Sequence, residues 1–227
     1  MTTAALVLAA GRGERLAAGV PKAFCRLGGE PLLVRALRAL AGASGVEHLI
    51  PVVAAGDRER YEALAIDAIP GLTKMVEGGA ERMDSVAAGV AALPAGVRFV
   101  AVHDAARCLV SPADVEAVLE AGRRTGAAIL AERVRDTVKR VDSCGQIVTL
   151  PREELWAAQT PQVFAVEWLR EGLAKARSEG RQATDDAQLL EALGRRVEIV
   201  ESRRPNPKIT RPQDLAWAEN WLAGEGG

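Results

Sequence analysis

Histidine, cysteine and lysine are all scarce in this chain, and each scarcity removes a class of chemistry. Among 227 residues the only histidines are His48 and His103, too few to form a metal cluster by themselves. Cys25, Cys108 and Cys144 are odd in number and far apart. They fit neither a disulfide framework nor a zinc-ligand spacing and read as reduced thiols. Net charge is −1, from 29 basic and 30 acidic residues, so no global basic field points to nucleic acid or an anionic membrane. No apolar run reaches the roughly 18 residues of a membrane span. The N-terminus lacks a charged region followed by a cleavable apolar segment. The expectation is a cytoplasmic protein that binds neither nucleic acid nor membrane. Lysine occurs only at Lys22, Lys74, Lys139, Lys175 and Lys208. In so arginine-rich a chain, a lysine kept inside a motif points to a need for a compact point charge.

The remaining composition, 48% hydrophobic and 26% charged, is that of a globular protein with a substantial core, and one domain over 1–227 is the simplest count. Apolar runs at Ala4–Ala9, His48–Ala54, Thr73–Val76, Phe99–His103 and Ala127–Ala131 read as strands. Helical patterns lie between them at Pro31–Ala41, Arg58–Ile69, Arg82–Leu93 and Pro112–Arg124, the last opened by Ser111 and Pro112. This alternation predicts an α/β fold with a doubly wound, mostly parallel sheet, in which ligands sit beyond the carboxyl ends of the strands. Further on, Val166–Arg177 and Asp185–Leu193 read as helices, Val197–Val200 as a strand and Pro212–Leu222 as a terminal helix.

The segment from Arg135 to Pro151 breaks that rhythm. Thr137–Val141 and Gln146–Leu150 flank the turn Asp142-Ser143-Cys144-Gly145 and predict a β-hairpin. A lone two-stranded ribbon is marginal in water, so a protruding arm at about 133–155 is expected to draw support from a second subunit.

The first strand runs into Ala9-Ala10-Gly11-Arg12-Gly13-Glu14-Arg15, with Pro21-Lys22 beyond. Gly11 and Gly13 allow a tight turn and close approach of backbone N–H groups to a ligand. With Arg15 and Lys22 they form a cationic cradle suited to a nucleoside triphosphate. A dinucleotide fingerprint would need glycine where Leu16 stands, and no Gly-Lys-Ser/Thr of a P-loop follows. A second motif, Gly78-Gly79-Ala80-Glu81-Arg82-Met83-Asp84-Ser85-Val86, sets glycines before a helix whose Ser85 hydroxyl can read a base edge. In the third, Val102-His103-Asp104-Ala105-Ala106-Arg107, Asp104 stands at a strand end where a carboxylate can meet Mg²⁺ or a substrate hydroxyl. By itself Asp104 could equally be a turn former.

The opening motif resembles that of nucleotidyltransferases acting on sugar and polyol phosphates. Together with Arg135-Asp136-Thr137, Gln159-Thr160-Pro161-Gln162, Thr184-Asp185-Asp186-Ala187 and Asn206-Pro207-Lys208-Ile209-Thr210, the chain resembles the 2-C-methyl-D-erythritol 4-phosphate cytidylyltransferase family of the non-mevalonate isoprenoid pathway. The resemblance implies a Rossmann-like homodimer with interlocked arms that uses CTP, a polyol phosphate and Mg²⁺. It implies that Arg15 and Lys22 stabilise the transition state at the α-phosphorus. Ala9, Ala10, Gly11, Gly13, Gly78, Ser85, Asp104 and Ala105 would hold the nucleotide, with Asp104 at the metal. Asp104, Arg107, Thr160, Thr184 and Lys208 would line the acceptor side, joined by Thr137 and Arg152 from the partner's arm. Arg152 and Lys208 would position the acceptor phosphate.

The chain departs from the family at Cys108, where proline is usual, at Ala80 and Pro205, where aspartate is common, and at Pro207 in place of isoleucine. None of these removes a required cation. Transfer to another polyol phosphate, such as ribitol 5-phosphate, is the alternative acceptor reading.

Overall fold

The computed structural model describes residues 2–11 and 19–225. In chain order the strands are β1 (Thr3–Leu8), β2 (Arg26–Leu27), β3 (Glu30–Pro31), β4 (His48–Val53), β5 (Val76–Glu77), β6 (Phe99–Asp104), β7 (Ala127–Arg133), β8 (Lys139–Val141), β9 (Ile147–Thr149), β10 (Trp156–Ala165) and β11 (Glu198–Glu201). The helices are α1 (Leu32–Ala41), α2 (Arg58–Glu62), α3 (Arg82–Ala91), α4 (Pro112–Thr125), α5 (Val166–Ser178), α6 (Ala187–Glu191) and α7 (Pro212–Glu225). Seven strands form one sheet in the order β11-β7-β10-β6-β1-β4-β5. All its pairings are parallel except those of β10, which runs antiparallel to both β6 and β7.

Strand β1 shows why the apolar runs were readable. Its alternating side chains feed opposite cores: Ala5 and Val7 pack with Leu33 and Leu37 of α1 and Val118 of α4. Ala4 and Leu6 pack with Val86 of α3 and Leu169 of α5. A strand buried on both faces needs apolar residues at every position. The strand order also reverses at β1, which pairs β4 on one side and β6 on the other. That reversal opens a crevice beyond the carboxyl ends of β1 and β6.

The described residues correct three sequence expectations and add one strand. The helix expected over Arg58–Ile69 stops at Glu62, and the chain turns through Ala65 at φ 49° before Pro70 and Gly71. A left-handed residue cannot continue a right-handed helix. The strand expected at Thr73–Val76 is reduced to Val76–Glu77, with a single bridge between Leu49 and Leu72 beforehand. The helix expected over Asp185–Leu193 spans only Ala187–Glu191. Strand β10 was not anticipated at all, because Gln159, Thr160 and Gln162 are polar and Pro161 has no N–H to give a ladder. The register shift between Ala158 and Gln162 accommodates that proline.

The hairpin is present, shorter than expected, as a two-stranded sheet of its own with both strands exposed throughout. Helix α4 begins as expected, the Ser111 hydroxyl accepting from the Asp114 N–H at 3.1 Å, and ends at Gly126 in the left-handed conformation. Midway along the last turns, Gly122 lies hard against β10: an added Cβ would stand 2.5 Å from Val163 Cγ1 and 2.8 Å from its Cβ. Gly122→Val should therefore push α4 off the sheet. Overpacking outweighs the small helix-propensity gain, for a net loss of about 2 kcal/mol. The melting temperature should drop by roughly 4–8 °C. An unchanged melting temperature would contradict this close approach.

Candidate active site

The crevice holds a cavity of about 220 Å³, lined by Ala9, Ala10, Gly11, Lys22, Arg82, Ser85, Asp104, Ala105 and Lys208 among others. Backbone ladders bring its walls together. The Ala9 N–H donates to Val52 O at 2.7 Å and the Ala105 N–H to Leu8 O at 3.0 Å, so both loops leave the sheet in register. Gly78 follows β5 and presses on this wall, where a Cβ would stand 2.5 Å from the Ala10 Cβ and 2.8 Å from Ser85 Oγ. Only glycine lets the loop close there. Ser85 Oγ accepts from the Gly79 N–H at 3.2 Å and donates to Glu81 O at 3.3 Å, which leaves it an accepting lone pair.

Asp104 ends β6 and is largely buried. Its Oδ2 lies 2.7 Å from Lys208 Nζ, and its Oδ1 lies 3.5 Å from Arg82 Nε. Burial works to raise this carboxyl, but Lys208 and Arg82 outweigh it and hold Asp104 well below the usual carboxylate range. Lys208 is itself held by its neighbours. Asn206 donates to Gln159 Oε1 at 3.1 Å and Thr160 O at 2.9 Å, and the Ile209 N–H donates to Ala106 O at 2.8 Å.

Several expected site residues lie beneath or beside the cavity rather than in its lining. Thr160 is buried and accepts from the Asp104 N–H at 3.1 Å, fixing the backbone that carries the carboxylate. Arg107 donates to Asn206 O at 2.8 Å and Ala158 O at 3.2 Å, tying the Lys208 loop to β10. Burial lowers its pKa against the opposing pull of Asp104. Thr184 is exposed, its N–H donating to Gln188 Oε1. Thr137 and Arg152 are exposed on and beside the hairpin, Arg152 in a separate cleft with Arg135, Arg203 and Arg204. Gly13 and Arg15 lie outside the described residues.

Three neighbours of Asp104 and Thr160 were not singled out from sequence. Arg82 and Asp186 sit within motifs that were recognised, but their pairing across more than a hundred residues leaves no local signal. His103 reads as motif filler, yet it is fully buried with Nδ1 3.0 Å from Thr160 Oγ1.

The sequence profile of the IspD family, 2-C-methyl-D-erythritol 4-phosphate cytidylyltransferase, matches residues 3–224. The chain belongs to the IspD family. Proteins named for that activity include one from Pelotomaculum thermopropionicum, 43% identical over 220 residues, covering 95% of this chain and 92% of the relative. Another, from Geobacillus kaustophilus, is 41% identical over 224 residues and 98% of both chains. Among solved structures, the 4-diphosphocytidyl-2C-methyl-D-erythritol synthase of Anaerococcus prevotii superposes with a TM-score of 0.88 at 26% identity, covering 98% of this chain and 96% of its own. The Thermus thermophilus 2-C-methyl-D-erythritol 4-phosphate cytidylyltransferase gives a TM-score of 0.81 at 38% identity, covering 98% and 100%. The expected α/β, Rossmann-like fold with its hairpin is thus the fold of IspD structures. No helix among the described residues is long and apolar enough to cross a membrane.

His103 also bears on how the fold responds to pH. Burial lowers its pKa to about 4, against about 6.5 in an unfolded chain. Between those values the unfolded chain binds the extra proton and the native state does not. The stability is therefore full above about pH 6.5 and is lost as pH falls toward 4, by about 3 kcal/mol at the end of that range. His103→Gln removes the titration, so its melting temperature should fall much less between pH 7 and pH 4.5 than that of the parent. Equal losses would show that His103 is not held neutral.

Proposed function

We propose that the cavity beyond β1 and β6 holds CTP and receives the acceptor phosphate, with Lys22 and Lys208 as the cations that guide transfer. The observation that carries this is the 2.7 Å Lys208–Asp104 ion pair, set in the same lining as Lys22, Gly11 and Ser85. The reaction is that of the family: CMP passes from CTP to 2-C-methyl-D-erythritol 4-phosphate, giving 4-diphosphocytidyl-2-C-methyl-D-erythritol and pyrophosphate for isoprenoid synthesis. The relatives' names favour this acceptor over ribitol 5-phosphate.

A phosphate monoester has its second pKa near ~6 and is already mainly a dianion at neutral pH, so the nucleophile needs no base. The remaining difficulty is electrostatic: two polyanions must meet in line. Lys22 and Arg15 would offset charge developing on the triphosphate, and Lys208 would turn from Asp104 to the acceptor phosphate. The accepting lone pair of Ser85 suits the exocyclic amino group of cytosine. Ala9, Ala10, Gly78 and Ala105 shape the nucleotide's bed, while Arg107 and Thr160 hold the floor beneath Asp104 and Thr184 borders the acceptor side.

A divalent ion fits this donor set in one particular way. Among the described residues no group of three or more His, Cys, Asp or Glu could hold a metal by itself, and the carboxylates in the lining are Asp104 and the exposed Glu81. A single carboxylate shared with substrate phosphates and waters is how Mg²⁺ is usually held, and Asp104 would hold it here. When bound, the ion would supply positive charge against the triphosphate.

The same reading makes the molecule a homodimer in the cytoplasm, one domain per chain, with arms exchanged between subunits. Val141 (60% exposed), Ile147 (67%) and Val148 (46%) on the hairpin support it, since apolar side chains on a two-stranded ribbon gain stability only when covered. Thr137 and Arg152 would then reach the partner's acceptor site, Arg152 gripping the phosphate by charge-assisted bonds.

Two outcomes follow. Lys22→Ala should cut CMP transfer by about 10²–10³-fold with an unchanged melting temperature, and near-normal turnover would sink the assignment. Mixing inactive Lys22→Ala with inactive Arg152→Ala, under conditions that exchange subunits, should restore activity, because one site of each mixed dimer carries neither lesion. No recovery despite proven exchange would mean that each site is built from one chain.

A further inference from the structure

Arg82, the first residue of α3, has no part in the transfer described above, yet it touches the site's central carboxylate. Its Nε lies 3.5 Å from Asp104 Oδ1, and its Nη2 lies 2.8 Å from Oδ2 of Asp186. The Asp186 side chain is only 2% exposed, so it offers Arg82 a fixed mooring. That mooring is in turn held from β10: the N–H groups of Asp186 and Ala187 both donate to Gln162 Oε1 at 3.2 Å. Gln162 pairs in register with Val102 of β6, two residues before Asp104. The chain of contacts therefore starts and ends on the strand that carries Asp104.

Asp104 thus has two cationic partners of different character, one on each oxygen. Lys208 approaches Oδ2 with its side chain 41% exposed, while Arg82 approaches Oδ1 with its side chain 26% exposed and its other arm engaged by Asp186. A phosphate dianion entering the cavity competes with Asp104 for the ammonium group. It cannot draw off Arg82 without uncovering the buried Asp186 charge, which is costly. A planar guanidinium can bridge two carboxylates in a fixed geometry, as an ammonium cannot.

We propose that Arg82 is a positioning residue: moored on Asp186, it keeps the Asp104 carboxylate aimed into the cavity while Lys208 exchanges that carboxylate for the acceptor phosphate. The inference rests on the placing of Asp104 and Lys208 in the reaction above. In this arrangement Lys208 is the exchangeable partner and Arg82 the permanent one.

The test is a mutant cycle. Arg82→Gln and Asp186→Asn are combined, so that neither buried charge is left without its partner, and the pair is made in the parent and in an Asp104→Asn background. In the parent, kcat should fall about tenfold to a hundredfold, the scale of a misplaced reacting group, with the KM for CTP changed less than threefold. In the Asp104→Asn background the same pair should cost less than threefold more. Crystals of the pair variant should show Asp104 in more than one rotamer. The proposal is overturned by an unchanged kcat, by an equal loss in both backgrounds, or by an Asp104 unmoved in the crystal. If the pair variant does not fold, Arg82→Lys keeps the charge but not the bridge, and the same cycle applies with about a tenfold loss. Near-parental turnover of Asp104→Asn itself is a separate result, and it would remove the reading of Asp104 beneath the proposal.

Discussion

The burial of one carboxylate, Asp104, at the end of the central strand is the constraint from which the rest of the site follows. An ionised group taken out of water costs several kcal/mol unless paired and hydrogen-bonded. Here the compensation comes from segments distant in sequence: Arg82 at the start of α3 and Lys208 in the loop before α7. Each brings its own requirement. Lys208 depends on Asn206 and Ile209 being pinned to β10 and to Ala106, and Arg82 depends on Asp186. A single buried charge thus bears on where α3 and α6 begin and on the path of the loop that carries Lys208.

The same constraint explains how a chain of net charge −1 concentrates cations at one place. A global basic field would attract any polyanion, whereas a local one attracts only what fits the cavity. In this site Asp104 and Asp186 balance Arg82 and Lys208. The burial of Asp186 raises its pKa against the pull of Arg82, so its charge is tolerated only because the guanidinium is there. The arginine is thus bound on two sides, while the lysine is the more exposed of the two cations.

Legibility from sequence followed the range of the interactions. Strands β1, β4 and β6 were readable because burial on two faces forces uninterrupted apolar runs, and Ser111 announced α4 because a cap is a local device. Strand β10 was hidden because its buried residues Gln159, Thr160 and Gln162 are polar. They are satisfied by Asn206, His103 and Asp186, none of them close in sequence. Ala9, Ala10, Gly11, Lys22, Ser85, Asp104, Ala105 and Lys208, expected from their motifs as site residues, line one cavity. Arg82 was not expected, since an arginine in the first turn of a helix ordinarily reads as solvated. Its second contact is with Asp186, which reads locally as a helix-opening acid.

The buried His103 shows how firmly the design avoids proton transfer. A general base must reach the proton it takes, and this imidazole is sealed beneath the strand, its Nδ1 occupied by Thr160. Thr160 in turn accepts from the Asp104 backbone N–H, so its hydroxyl joins the imidazole to the strand end. The histidine is kept neutral by its burial. It acts as a spacer that fixes Thr160, and through Thr160 the backbone of Asp104. A nucleophile that arrives already ionised needs such a rigid floor more than it needs a base, because the barrier left to overcome is one of placement and charge.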